Sequence, residues 1–167
     1  MRKMSDSWLK IKEGKINFQC KLNYCSNSCC GPFAGINENI VNIDNRPFSE
    51  IVLSEADINR LYDNGYSQFI ETSLSKQTNK EYKKMALYPD GSCKAFIDGK
   101  CSINEIKPTL CRAFPFYFDM FSGLCAITCE GFSDKYWSDL GDYEECFEAA
   151  RKMYEFWIDF YTPKKEI

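Results

Sequence analysis

A chain of 167 residues, 44% hydrophobic and 16% aromatic, can bury one core of ordinary size, so a single domain over residues 1–167 is expected. The formal charge of −3 and a pI near 5.1 leave no broad basic surface, which argues against nucleic acid as a partner. No apolar run reaches bilayer-spanning length, and Met1 to Lys10 carries charges where a signal peptide needs an apolar stretch; a cytoplasmic protein with no membrane partner is expected.

Residues 1–17 read as a polar N-terminal arm with scattered apolar positions, Trp8, Leu9, Ile11 and Ile16, leading into the first cysteines. Gly31 to Gly35 is a breaker-rich loop, and Ile40, Val41 and Ile43 suggest a short extended piece. A helix is predicted over 54–64, because Ser54 can accept from the amide of Asp57, Leu53 can staple against Ile58, and Gly65 stops it. Its buried edge is expected to be Ile58, Leu61 and Tyr62, with Asp57 serving the helix dipole rather than catalysis.

Residues 72–81 are polar and aperiodic and read as a loop, followed by a strand from Tyr82 to Tyr88 and a turn at Asp90-Gly91. The dipeptide Asp98-Gly99 favours a type I′ hairpin over 93–103, with Cys93 and Cys101 on facing strands. Pro108 can open a short helical turn carrying Cys111, which Phe114-Pro115 ends. Asp142 to Glu145 resembles a capping box, and Cys146, Phe147, Ala150, Met153, Tyr154, Trp157, Phe160 and Tyr161 recur at helical spacing, predicting a packing helix over 142–161. The fold class is α+β: a small irregular cysteine-rich, metal-stabilised domain with a β-hairpin and a long C-terminal helix.

The ten cysteines and the absence of histidine carry the chemistry. In a reducing compartment clustered cysteines signify metal or redox chemistry more often than disulfides, so a disulfide scaffold ranks last. Without imidazole, Cys2His2 zinc sites and Cys/His nucleophilic pairs are excluded, and any metal is held mainly by sulfur. The cysteines fall into three groups: C-x4-C-x3-C-C at Cys20, Cys25, Cys29 and Cys30, then Cys93, Cys101 and Cys111, then Cys125 and Cys129. Adjacent Cys29 and Cys30 side chains should diverge, so the first group is not one closed four-sulfur site. Four sulfurs serve a tetrahedral zinc or a cubane 4Fe–4S cluster, and the spacing leaves open whether the sulfurs fill two sites or one site with a reactive remainder. Arg112 beside Cys111 can donate to a cofactor sulfur or form a surface ion pair. Cys146 reads as a core cysteine, whereas Cys125 and Cys129 stay open as a ligand pair or spares. Phe114, Phe116, Tyr117, Phe118 and Phe121 read as core and cluster shielding.

The order of a Cys-Cys run, Leu53-Ser54 to Asp57-Ile58, Gly91-Ser92-Cys93, Gly99-Lys100-Cys101-Ser102-Ile103 and Lys107-Pro108-Thr109-Leu110-Cys111-Arg112-Ala113-Phe114-Pro115 resembles the YkgJ-like cysteine-cluster proteins. That family is described as having a zinc- or iron-chelating CxxCxxCC domain, and its members are often labelled iron–sulfur proteins. The resemblance covers roughly residues 18–131. It implies Cys20, Cys25, Cys29, Cys30, Cys93, Cys101, Cys111 and Cys129 as metal ligands, the last standing in Cys129-Glu130-Gly131 where the family tends to have Cys-Pro-Gly. The first group's spacing departs from the family and is more similar to the flagellin lysine N-methylases, which use S-adenosylmethionine with an iron–sulfur cluster. Those enzymes are much longer, and this chain has no Gly-rich strand-to-helix turn for a nucleotide-like cofactor.

The expectation is therefore a metal-binding protein holding an iron–sulfur cluster or zinc through thiolates, in redox chemistry, metal handling or docking on a protein or peptide partner. The enzymatic alternative is methyl transfer from S-adenosylmethionine, or another cluster-assisted redox modification, on a peptide or protein. A structural zinc module is the second alternative.

Overall fold

A computed structural model of the chain describes residues 9–21, 50–127 and 129–163. The expected extended piece around Ile40 to Ile43 lies outside the described residues, as do Cys25, Cys29 and Cys30.

The arm folds back on itself. Strands β1 (Ile11–Lys12) and β2 (Lys15–Ile16) pair antiparallel around Glu13-Gly14, both at positive φ (53° and 74°), the type I′ geometry that matches strand twist. Far along the chain, β10 (Ser138–Asp139) adds to the other edge of β2. The arm is then fixed further on. Phe18 bridges Phe132, flanked by Gln19 N to Gly131 O at 3.0 Å and Ser133 N to Asn17 O at 3.1 Å.

A second antiparallel sheet has the order β3-β5-β4, with β3 at Val52–Leu53, β4 at Ile70–Leu74 and β5 at Glu81–Met85. The polar stretch Thr72 to Leu74 is thus strand, which corrects the loop expected over 72–81. As an edge strand with only one neighbour, β4 tolerates the polar side chains that hid it. The turn between the two strands is confined to Ser75–Lys80, where Ser75 N donates to Lys80 O at 2.9 Å.

Helix α1 (Glu55–Asp63) starts as expected, with Ser54 as N-cap and a reciprocal capping box to Asp57, and the chain leaves it through Gly65 at φ 78°. Leu61 is fully buried, but Tyr62 faces solvent, so the expected buried edge holds at Leu61 and fails at Tyr62. The hairpin β6 (Phe96–Ile97)/β7 (Lys100–Cys101) turns through Asp98 (φ 50°) and Gly99 (φ 73°), again type I′. Only two residue pairs form. Cys101 faces Phe96, while Cys93 bridges Leu87, because the chain before Phe96 leaves the hairpin and Lys94 N donates to Ala86 O at 3.0 Å. Cys93 therefore lies outside β6, which corrects the expectation that Cys93 and Cys101 sit on facing strands of one hairpin.

Helix α2 (Thr109–Ala113) follows Pro108 and ends before Phe114. The strands β8 (Phe116–Asp119) and β9 (Gly123–Ala126) form the last hairpin, and α3 (Glu144–Tyr161) closes the fold. The capping box expected at Asp142 does not form. Residues Leu140–Tyr143 make a 3-10 turn that delays the α-helix to Glu144, and Tyr143 at the N-cap makes no side-chain cap. Its hydroxyl instead donates to Phe18 O at 3.1 Å.

The described residues form two apolar cores. The first gathers Ile16, Phe18, Phe116, Ala126 and Phe132 against Ala149 and Ala150 of α3, with edge-to-face rings such as Phe18–Phe116 at 5.2 Å. The second gathers Ile51, Leu53, Leu61, Met85, Cys93, Ala95 and Ile103. Helix α2 is the wall between them: Ala113 belongs to the first core, and Leu110 and Cys111 pack against the second. Among the described residues, no helix is long and apolar enough to cross a membrane.

Candidate metal centre

The described sulfurs lie on both sides of α2. On one side Cys93 is buried in the second core, with Cys101 from β7 and Cys111 from α2 packed against it, so three separate pieces of chain bring sulfur to one apolar cluster. On the other side Cys129 and Cys146 pack against the first core.

Cys20 reaches that second side through the arm. The Phe18–Phe132 bridge and the bond from Gln19 N to Gly131 O seat the arm against the turn at Glu130–Gly131, where Phe132 N donates to Cys129 O at 3.1 Å. The close approach depends on Gly131. A Cβ there would stand 2.5 Å from Phe18 Cε2 and 2.7 Å from Gln19 O, so only glycine lets the two segments meet at this distance. Gly131 also donates its amide to Cys129 Sγ at 3.4 Å, a bond that favours negative charge on that sulfur. Cys20 itself is exposed.

Cys146 sits in the first turn of α3. Burial pushes its thiol above the ordinary range; the positive charge of Lys107 opposes this, and the negative charges of Cys20 and Glu145 add to it. Lys107 thus puts a cation within electrostatic reach of these sulfurs. Spacing alone assigned Cys146 to the apolar stripe of the helix; its proximity to Cys20 depends on the fold of the arm and had no local signal.

Cys125 lies on β9 directly across from Tyr117, and a side-chain hydrogen bond joins its sulfur to the Tyr117 hydroxyl. Burial first, then the Cys125 sulfur, hold the Tyr117 phenol above its ordinary value. Phe116 is buried as expected, but Phe121 at the tip of this hairpin is 91% exposed and shields nothing.

Arg112 sends Nε to Lys107 O at 3.1 Å and Nη2 to Glu105 O at 2.8 Å, which fastens the 3-10 turn at Asn104–Ile106 to α2. Arg60 from α1 grips the same segment through Ile106 O at 3.1 Å and Lys107 O at 3.2 Å.

Sequence reasoning understated one residue beside the cysteine-bearing helix α2. Asp57 is fully buried, and besides its capping role it receives Arg60 Nη2 at 2.5 Å, Thr109 N at 2.9 Å and Thr109 Oγ1 at 2.8 Å. A carboxylate from α1 therefore caps the first turn of the cysteine-bearing α2, satisfying an amide that has no partner within the helix. A contact spanning 52 residues has no signature in spacing.

Among the described residues, no three Cys, Asp or Glu side chains come together as a group able to hold a metal ion. The donors that do approach one another are nonetheless the right chemistry for a soft metal: thiols, one sulfur already accepting a backbone N–H, and a lysine charge nearby. No family model, curated protein or solved structure matches the chain.

Proposed function

We propose that this chain is a thiolate-ligated metal protein of the YkgJ-like kind, holding an iron–sulfur cluster or, failing that, zinc. The ligands in this reading are Cys20, Cys25, Cys29, Cys30, Cys93, Cys101, Cys111 and Cys129, with Arg112 beside the cofactor. The observation that supports it is that Cys93 lies in one apolar core while Cys101 and Cys111, from two further pieces of chain, pack against that same core. Thiolate is the donor that a soft metal selects.

Sulfurs on both faces of α2 then need bridging donors, and the run from Cys20 to Cys30 supplies them from a single stretch of sequence. The metal would close long loops and contribute folding free energy directly. A bound iron–sulfur cluster would supply one-electron chemistry, and apolar surroundings would limit water and set its potential. The protein would act in the cytoplasm in redox chemistry or metal handling, with a protein or peptide as partner.

The test is anaerobic purification with a visible spectrum and joint measurement of iron, zinc and acid-labile sulfide. A brown protein with sulfide supports the cluster, and a colourless protein with stoichiometric zinc moves the reading to the structural module. A folded protein free of both metals refutes it. Saturable binding of S-adenosylmethionine would transfer the proposal to methyl transfer.

A further inference from the structure

Cys146 is not among the ligands of the metal reading, yet the fold sets it near Cys20. Ser138 Oγ and the Tyr143 hydroxyl both donate to Phe18 O, at 2.8 and 3.1 Å, and the rings of Phe18 and Tyr143 stand 5.2 Å apart. This knot ties the arm to the start of α3. Cys20 follows Phe18 by two residues, a span of at most about 7 Å, and Cys146 follows Tyr143 by three, a helical rise of about 4.5 Å. Tyr143 and Cys146 also pack against the same core as Phe18. Independently of those contacts, negative charge on Cys20 is felt at Cys146, so the two sulfurs lie within electrostatic reach of each other.

Chemistry narrows what such a pair can do. Two sulfurs do not fill a tetrahedral metal site, and among the described residues no third Cys, Asp or Glu joins them as a group able to hold a metal ion. Oxidation to a disulfide needs only two. It asks the Cα atoms to stand about 4.4–6.8 Å apart, and the short tethers on either side allow that. Access sets the order of events, since Cys20 is exposed and Cys146 is half-buried.

We propose that Cys20 and Cys146 are a thiol pair that closes to a disulfide by exchange with a small-molecule disulfide of the glutathione class. The exposed Cys20, as thiolate, attacks one sulfur of the reagent; that S–S bond breaks, a mixed disulfide forms and the first thiol leaves. Cys146 then attacks the Cys20 sulfur and expels the second thiol. Two protein thiols are oxidised to one disulfide, the reagent is reduced to two thiols, and the two protein protons end on them. The pairing does not rest on the metal reading. Where Cys20 also ligates a metal, closure withdraws that ligand.

The experiment incubates the full-length protein with oxidised glutathione, both as purified and after a chelator has removed iron and zinc. Free thiols are then blocked, and the chain is digested with trypsin without reductant. Residues 16–21 and 136–151 are tryptic peptides in which Cys20 and Cys146 are the only cysteines, so mass spectrometry reads their cross-link directly. The expected result is this cross-link as the main product of both cysteines in at least one of the two samples. In Cys146→Ser, Cys20 should accumulate as the glutathione mixed disulfide; in Cys20→Ser, modification of Cys146 should slow by about tenfold or more. Absence of the cross-link from both samples overturns the proposal, as does Cys20 pairing chiefly with another cysteine or undiminished modification of Cys146 in Cys20→Ser. Should a serine variant fail to fold by circular dichroism, the cross-link in the parent protein decides alone. Failure of the metal reading is seen separately, in the metal and sulfide content of the protein as purified.

Discussion

Replacing Asp57 by alanine tests how far the cysteine-bearing helix depends on a distant carboxylate. Asp57 is fully buried and accepts five bonds: from Ser54 N at 3.1 Å, Ser54 Oγ at 2.8 Å, Arg60 Nη2 at 2.5 Å, Thr109 N at 2.9 Å and Thr109 Oγ1 at 2.8 Å. These bonds are not additive. Removing one partner of a buried ion pair costs about 3–5 kcal/mol, and an orphaned buried amide about 1–3 kcal/mol. Arg60 keeps Ile106 O and Lys107 O and its side chain is 30% exposed, so part of the ion-pair loss is recovered. A net loss of about 4 kcal/mol is expected, which for a chain of this length lowers Tm by about 10 °C. Thr109→Val removes one hydroxyl bond and should cost about 1 kcal/mol. Because the valine variant has no such bond left for Asp57→Ala to break, the double variant should fall short of the sum by about 1 kcal/mol. Urea unfolding followed by circular dichroism, on samples of matched metal content, measures all three. A loss below about 1 kcal/mol for Asp57→Ala, or strict additivity, would refute the reasoning.

Cys111→Ala should lower bound metal per chain, whereas Cys125→Ala should leave it unchanged; elemental analysis of anaerobically purified variants decides. Gly131→Ala should detach the arm, since its Cβ would stand 2.5 Å from Phe18 Cε2, and the amide of Gln19 should then exchange hydrogen faster in a deuterium experiment. The phenol of Tyr117 should titrate above 10.0, so its contribution to stability is present below that pH and is lost as pH rises through the folded value. Cys125→Ala should bring it part of the way back, because burial is the larger cause, and ultraviolet titration reads the change. Asp134 is held below 3.8 chiefly by its hydrogen bond from Lys10, so its contribution is present above 3.8 and is lost as pH falls through the folded value. In a Lys10→Met variant the Asp134 carboxyl should titrate nearer its ordinary value by NMR.

What could be read from sequence was what neighbouring residues decide. Ser54 and Asp57 are three apart and form their box within one turn, and Asp98-Gly99 sets its own hairpin. The stripe through Ala150 and Met153 likewise announced α3. Features set by distant partners were not legible. Strand β4 is polar and is held by β5, Tyr143 is drawn to Phe18 rather than capping its helix, and Cys93 is taken by Leu87 instead of Cys101. For the candidate site, spacing could group the cysteines but could not say that Cys101 and Cys111 share a core with Cys93, or that the arm brings Cys20 within electrostatic reach of Cys146. Each of these is a decision about register, and register is made across the chain.

Helix α2 is only five residues long, well short of the length at which a helix persists unaided in water. Its turn exists because Asp57 caps it from one side while Ala113 and Cys111 are pinned by different cores. Neither core can melt and leave this wall standing for the other. The two halves should therefore unfold as one cooperative unit, and disturbance of sulfur on one face of the helix will be felt in the aromatic packing on the other.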